Sequence, residues 1–216
     1  MSASGRTGRG RFITLEGGDG AGKSTQAALL EDWLTEGGRT VVRTREPGGT
    51  ALGERIREMV LHERGHVAPR AEALLYAADR AHHVETVVRP ALARGDVVVQ
   101  DRYIDSSVAY QGVARSLGAD RVRAVSDWAA DGLTPDLTVL LDLDPVVGRR
   151  RVAAARGTLD RLESEATAFH TAVRDAFLAM ARAEPDRFLV LDATRPVEEL
   201  AGAVRARVAQ VLGAAA

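Results

Sequence analysis

The feature that most limits how this chain can fold is the run Gly17-Gly18-Asp19-Gly20-Ala21-Gly22-Lys23-Ser24. It fits the pattern G-x-x-x-x-G-K-[ST], and it joins two segments of different hydrophobic period. Before it, Arg11–Glu16 is a short apolar run that reads as a strand buried on both faces. After it, Ala27, Leu30 and Leu34 line one side of a helix from about Lys23 to Glu36, which Gly37-Gly38 stops. A strand that turns through glycines into a helix presents main-chain N–H groups and the positive end of a helix dipole to an anion. The expected ligand is the polyphosphate of a nucleoside triphosphate, wrapped by Gly17, Gly18, Asp19, Gly20, Ala21, Gly22, Lys23, Ser24 and Thr25. Lys23 is expected at the β- and γ-phosphates and the Ser24 hydroxyl at Mg²⁺. The competing reading is a glycine-rich turn that only connects strand and helix.

One compositional fact weighs on that choice. Lys23 is the only lysine among 29 basic residues, so the other 28 are arginine. At most surface positions the two cations exchange cheaply, and a position that keeps lysine against such a bias needs a compact charge on a slim stem. That the one lysine stands inside the phosphate motif favours a binding loop over a connector.

Further apolar segments at Thr40–Arg45, Val97–Asp101, Leu137–Asp142 and Arg187–Asp192 alternate with helical stretches. One helical region follows Pro69, a second is predicted from about Leu159 to Ala183, and a third over Val197–Leu212 follows Pro196. This alternation predicts an α/β fold: a five-stranded parallel sheet with helices on both faces. Residues 1–10 are rich in Ser, Gly and Arg and read as a flexible tail, and 11–216 as a single domain. In such sheets ligands sit beyond the carboxyl ends of the strands.

The residues found there are unusual. After the second strand comes Arg45-Glu46-Pro47-Gly48-Gly49-Thr50; the third ends in Asp101-Arg102-Tyr103 and runs into Asp105-Ser106-Ser107-Val108-Ala109-Tyr110-Gln111-Gly112. Tyr76 precedes the run Ala77-Ala78-Asp79-Arg80, and Asp160-Arg161-Leu162-Glu163 closes an arginine-rich segment from Arg149 to Arg161. Together, in this order after the phosphate loop, these motifs resemble the thymidylate kinases, over nearly the whole chain from Arg11 to about Leu212. The resemblance implies a P-loop nucleoside monophosphate kinase with a short lid at about 148–163. It implies ATP as donor, Mg²⁺ as cofactor, dTMP as acceptor, a place in dTTP synthesis and a homodimer. A cytoplasmic location is expected by default, since residues 1–10 do not read as a secretory signal and no apolar run reads as a membrane span.

The same resemblance assigns Arg45 and Arg102 to the dTMP phosphate, which their planar forks can grip through two oxygens. The alternative is that Arg45 pairs with Glu46 and Arg102 with Asp101. Asp101 is the natural Mg²⁺ carboxylate, direct or through water, and otherwise a cap on the following turn. By resemblance Tyr76, where the family usually has phenylalanine, stacks on thymine, and Arg80 bonds the base edge. Ser106, Ser107 and Gln111 are read as further base readers, Tyr110 as the ring that crowds the sugar 2′ position, and Asp19 as a carboxylate near the acceptor's 3′-hydroxyl.

Phosphoryl transfer needs positive charge on the moving group, and one arginine can contribute ~10³–10⁵ in rate. One branch of the family carries that arginine in the phosphate loop; here the position is Gly20, so the lid must supply it. Arg149, Arg150, Arg151, Arg156 and Arg161 are the candidates. The first three fan out at about 100° per residue and cannot all face one ligand. Ala153-Ala154-Ala155 stands where some bacterial relatives carry more arginine. Arg156 is favoured, then Arg151; a solvated basic face is the alternative.

Other classes are weakened. With a net charge of -1, neither nucleic acid nor a membrane surface is indicated as a partner. No run approaches the ~18 apolar residues of a membrane span. With no cysteine, disulfides and thiolate chemistry are excluded. His82-His83 point about 100° apart on a helix and make no metal site. Trp33 and Trp128 read as packing residues, and the apolar positions from Leu74 to Leu92 as core or dimer interface. The rivals that remain are another nucleotide kinase and a catalytically dead nucleotide-binding module. A GTP switch using an N-K-x-D motif is excluded, because the chain has no second lysine.

Overall fold

A strand apolar on both faces belongs in the middle of a sheet, and β1 (Arg11–Gly17) lies there, buried at every residue after Arg11. The structure, a computed structural model, describes residues 9–63, 65–156 (Arg156 in its backbone only) and 160–213. Strands β2 (Val41–Arg45), β3 (Val97–Asp101), β4 (Leu137–Asp142) and β5 (Phe188–Asp192) complete a five-stranded parallel sheet in the order β2-β3-β1-β4-β5. From β1 the chain crosses to the edge for β2, returns to place β3 beside β1, and then adds β4 and β5 on the other side. A crevice therefore opens at the carboxyl end of β1, where the connections part. Leu15 is in register with Asp101 and Glu16 with Leu140, which brings the ends of β1, β3 and β4 to one level.

The helices are α1 (Lys23–Glu36), α2 (Ala51–His62), α3 (Pro69–His83), α4 (Arg89–Ala93), α5 (Ile104–Ser107), α6 (Ala119–Ala129), α7 (Pro145–Arg156), α8 (Thr167–Ala183) and α9 (Val197–Gly213). A π-helical turn over Val84–Val88 joins α3 to α4, and a second, Val108–Ala114, continues α5. Side chains of β1 alternate between two cores, as the period of a strand requires. Ile13 and Leu15 pack with Leu30 and Leu34 of α1 and Val204 and Val208 of α9. Phe12 faces the other way, onto Tyr103, Val84 and Val88, while Leu140 of β4 meets Phe177 of α8. Each buried leucine contributes ~1.5–3 kcal/mol, against ~0–1 kcal/mol for an exposed ion pair, so the sandwich of sheet and helices carries the fold.

Several expectations need correction. Strand β2 is an edge strand with Val41, Val42 and Thr44 only partly covered, not a continuous buried run. The helix expected from Leu159 begins at Thr167. Asp160 turns the chain first, its Oδ1 accepting from the N–H groups of Leu162 (2.9 Å) and Glu163 (2.8 Å). Leu159 itself lies outside the described residues, as do residues 1–8. Gly10, assigned to the tail, is buried and donates its N–H to Leu92 O at 2.8 Å. Trp33 is partly buried against the core, but Trp128 is 83% exposed on α6.

Candidate active site

The phosphate loop turns through Gly17, Gly20 and Gly22 at φ of 135°, 75° and 96°, values that L side chains adopt only under strain. Gly22 caps α1 with no side-chain hydrogen bond, so the first N–H groups of the helix are not occupied by a cap. Gly20 also has no room for a side chain: a Cβ there would overlap the carbonyl of Gly148, and one on Gly148 would overlap Asp19 O. The Lys23 side chain bends back along the loop, Nζ donating to Gly17 O (3.1 Å) and Gly18 O (2.9 Å). Burial, and then the neighbouring Arg102, hold its pKa below the ordinary lysine value, opposed by Asp101, Asp19 and Glu16.

Ser24 Oγ donates to Asp101 Oδ2 at 3.1 Å, while Asp101 Oδ1 is buried with no hydrogen-bond partner. A hydroxyl, a carboxylate and an unsatisfied carboxylate oxygen at the mouth of a phosphate loop fit a hard divalent cation that keeps its remaining ligands as water and phosphate. Among the described residues no cluster of three or more His, Asp or Glu could hold a metal by protein alone. His83 is buried, with Nδ1 3.0 Å from Glu46 Oε1 and Nε2 2.7 Å from Thr44 Oγ1.

Arg102 faces the loop from the end of β3. Its backbone is left-handed, φ 66°, and its N–H donates to Leu15 O at 3.0 Å. The guanidinium forks, Nη2 pairing with Asp19 Oδ1 and Nη1 donating to Ser106 Oγ at 3.2 Å, and it lies 5.0 Å over the Tyr110 ring. Burial pushes Asp19 up, yet Arg102, Lys23 and His170 together leave its carboxyl below the usual range. Tyr110 and Gln111 ride on the π-helical turn, which sets both side chains inward. Tyr110 packs edge-on against Phe169 and Phe177, its hydroxyl 3.4 Å from Asp19 Oδ2, and Gln111 Nε2 donates to Glu72 at 2.8 Å.

Arg80 is 1% exposed, with Nε 2.9 Å from Glu46 Oε2 and the other nitrogens donating to Ser126 Oγ (3.1 Å) and Ser107 Oγ (3.0 Å). Tyr76 is buried in the same wall, beside Tyr110. Neither surface pairing weighed for the arginines forms. Arg45 is half exposed and reaches both oxygens of Glu54 at 3.0 Å, Glu46 turns inward to Arg80 and His83, and Arg102 takes Asp19 in place of Asp101.

In the lid, Arg151 Nη1 donates to Ala193 O (3.1 Å) and more weakly to Gly20 O (3.4 Å), at the tip of the phosphate loop. Arg150 is exposed, and Arg161 is tied to Val60 O (2.9 Å) and Glu72. The side chain of Arg156 lies outside the described residues. All the other residues singled out, apart from Gly17, Gly18, Ala21 and Arg149, line one cleft of about 480 Å³, a size that suits small-molecule ligands. Gly17 and Ala21 are buried beneath it, and Gly18 and Arg149 border a smaller recess on the lid side. Glu46, Asp160 and Glu163, which stood in the motifs without a role at the site, line the cleft as well, and so does Arg57, which sequence reasoning passed over. Arg57, whose Nη1 donates to Pro47 O at 3.0 Å, offered one signal: it follows the Thr50 cap of α2 by two turns, on the side of the glycine-rich loop.

An anion cradle sharing one cleft with a second group of guanidinium ions has places for two phosphorylated ligands, and on this sheet that combination defines a P-loop nucleoside monophosphate kinase. Which one follows from comparison. The family model described as Thymidylate kinase matches residues 15–204, and the chain belongs to that family. It is 70% identical over 198 residues to a thymidylate kinase of Leifsonia xyli subsp. xyli, covering 92% of this chain and 94% of that one. A thymidylate kinase of Clavibacter michiganensis subsp. michiganensis is 67% identical over 207 residues, 96% of this chain and 98% of the relative. Among solved structures, a crystal structure of thymidylate kinase from Ehrlichia chaffeensis aligns with a TM-score of 0.71 at 33% identity, over 85% of this chain and 93% of that one.

Proposed function

We propose that the chain transfers the γ-phosphoryl group of ATP in line to the phosphate of dTMP, giving dTDP for dTTP synthesis. The observation that carries this reading is the Asp19–Arg102 pair, which ties the donor loop to the strongest candidate for the acceptor cation. Residues Gly17 to Thr25 hold the triphosphate, with Lys23 leaving the Gly17 and Gly18 carbonyls to meet it. Ser24 and Asp101 would hold Mg²⁺, which when bound neutralises charge on the donor phosphates. Arg102 and Arg45 grip the acceptor phosphate, Tyr76 stacks on the base, and Arg80 with Ser107 and Gln111 forms its polar edge. Tyr110 and Asp19 border the sugar. No general base is needed, because the attacking phosphate oxygen is already an anion. The lid brings Arg151 and Arg156 to the transferring group and excludes water as it closes.

The enzyme acts in the cytoplasm, where nucleotide pools lie. Among the described residues no helix is long and apolar enough to cross a membrane. It acts as a homodimer: α3 and α6 pack side by side, and each exposes large apolar groups, Leu74 at 60% and Trp128 at 83%. The decisive experiment measures ADP release with dTMP, dUMP, UMP, CMP and thymidine as acceptors. Turnover led by dTMP supports the reading; equal or faster turnover of UMP or CMP overturns the acceptor assignment.

A further inference from the structure

The charged residue that the mechanism leaves unused lies directly under the site. Glu16, the last side chain of β1 before the phosphate loop, is fully buried, and yet its two oxygens have separate tasks. Oε1 accepts the N–H of Tyr103 at 2.7 Å, and Oε2 accepts the Ser106 hydroxyl at 2.6 Å. The same Ser106 oxygen accepts from Arg102 Nη1 at 3.2 Å.

Arg102 is therefore held from two directions. On the main-chain side, its left-handed φ of 66° has a cost for a non-glycine residue and persists only if its surroundings over-determine it. The Leu15 carbonyl fixes the Arg102 N–H, and Glu16 fixes the N–H of the next residue. On the side-chain side, the Ser106 hydroxyl, with its proton committed to Glu16, presents a lone pair to the guanidinium. We infer that Glu16 is a positioning residue, which acts through Ser106 and the Tyr103 amide to aim the Arg102 fork at the acceptor phosphate.

A buried carboxyl is expensive unless it is satisfied. Burial and the nearby Asp105 push Glu16 up to about 7, while Ser106, Arg102 and the Tyr103 amide pull it back. An alternative purpose would be packing alone, but an apolar side chain would fill that space without the desolvation cost. The two hydrogen bonds are what a carboxylate adds.

The inference rests on the reading of Arg102 as an acceptor-phosphate ligand, and a double-mutant cycle separates the two. Glu16→Leu should lower kcat/KM for dTMP roughly 100-fold, the scale of a small misplacement of a catalytic group, while the KM for ATP moves less than about threefold. Glu16→Gln, which keeps an acceptor for the Tyr103 amide, should recover most of that loss. On an Arg102→Ala background, Glu16→Leu should cost less than about threefold more, since the group it aims is gone. If Glu16→Leu does not fold, the same cycle runs with Glu16→Gln, whose smaller loss must likewise vanish without Arg102. Glu16 variants that leave kcat/KM unchanged, or losses that multiply in full on the Arg102→Ala background, overturn the inference alone. Should Arg102→Ala itself turn over dTMP normally, the reading of Arg102 falls, and the inference with it.

Discussion

Arg102 and Asp19 meet across 83 residues of sequence, the guanidinium at the end of β3 pairing with a carboxylate inside the phosphate loop. The second arm of the fork is already engaged by Ser106. A lysine could satisfy one of these partners but not both, because its charge is a point on a flexible stem. Arg102→Lys should therefore lower kcat/KM for dTMP by roughly 100-fold in steady-state assays, with a smaller change in the KM for ATP.

The lid arginines should separate by kinetic signature. Arg151 rests on the Gly20 and Ala193 carbonyls, poised over the loop tip. Charge supplied only to the transferring group lowers kcat without weakening acceptor binding, so Arg156→Ala should reduce kcat at least ~100-fold and Arg151→Ala ~10-fold, each with the KM for dTMP within about threefold. An unchanged kcat in either variant removes that residue from the mechanism.

If Tyr76 serves through its ring, its hydroxyl is dispensable. Tyr76→Phe should keep kcat/KM for dTMP within about threefold, whereas Tyr76→Ala should raise the KM about tenfold or more as ~1–2 kcal/mol of ring contact is lost. A large loss in the phenylalanine variant would mean that the hydroxyl, not the ring, is in use.

Asp79 should make the stability of the protein depend on pH. It is fully buried, Oδ1 accepts only a long bond from the Gly48 N–H (3.3 Å), and Oδ2 has no hydrogen-bond partner. Burial first, and Glu46 second, push its carboxyl from 3.8 up to about 7. The folded state then binds this proton more tightly than the unfolded chain. The stabilisation is fully present below the unfolded value and is lost as pH rises through about 7. Urea titrations should find the parent protein losing on the order of 1–3 kcal/mol between pH 5 and 8, and Asp79→Asn losing distinctly less. Parallel pH profiles for the two proteins would show that Asp79 carries no such proton.

Much of this was legible because the informative segments are local. The β1–loop–α1 unit is written out in an apolar run, a glycine motif and a helical stripe, and α1 begins at Lys23 and ends at Glu36 as read. Arg45 and Arg102 stand at strand ends, where α/β sheets bind ligands, and Arg80 of α3 belongs to a motif that resembles the family's, so all three could be singled out without coordinates. Their partners could not. That Arg80 is sealed against Glu46, Ser107 and Ser126, or that Arg45 reaches Glu54, depends on how α2, α3 and α6 pack, and no short pattern encodes that. Glu16 escaped notice for a related reason: a single acid ending a strand looks like the last polar residue before a loop. The helix read from about Leu159 starts only at Thr167, despite the helical propensity of Leu162, Glu163, Glu165 and Ala166. The turn at Asp160 is set by side-chain capping, which overrides it.

The contact of Gly20 with Gly148 has a consequence for how this family can vary. A Cβ on Gly20 would strike the Gly148 carbonyl and one on Gly148 the Asp19 carbonyl, so the tip of the phosphate loop and the root of α7 are sterically interlocked. Gly148→Ala should raise the KM for ATP about tenfold and destabilise the fold by ~1–3 kcal/mol, readable by thermal melting. Placing an arginine at position 20 of the loop is thus not a one-step change for a chain built this way. An arginine arriving there would collide with the lid's own foundation, and the helix would first have to be pulled away.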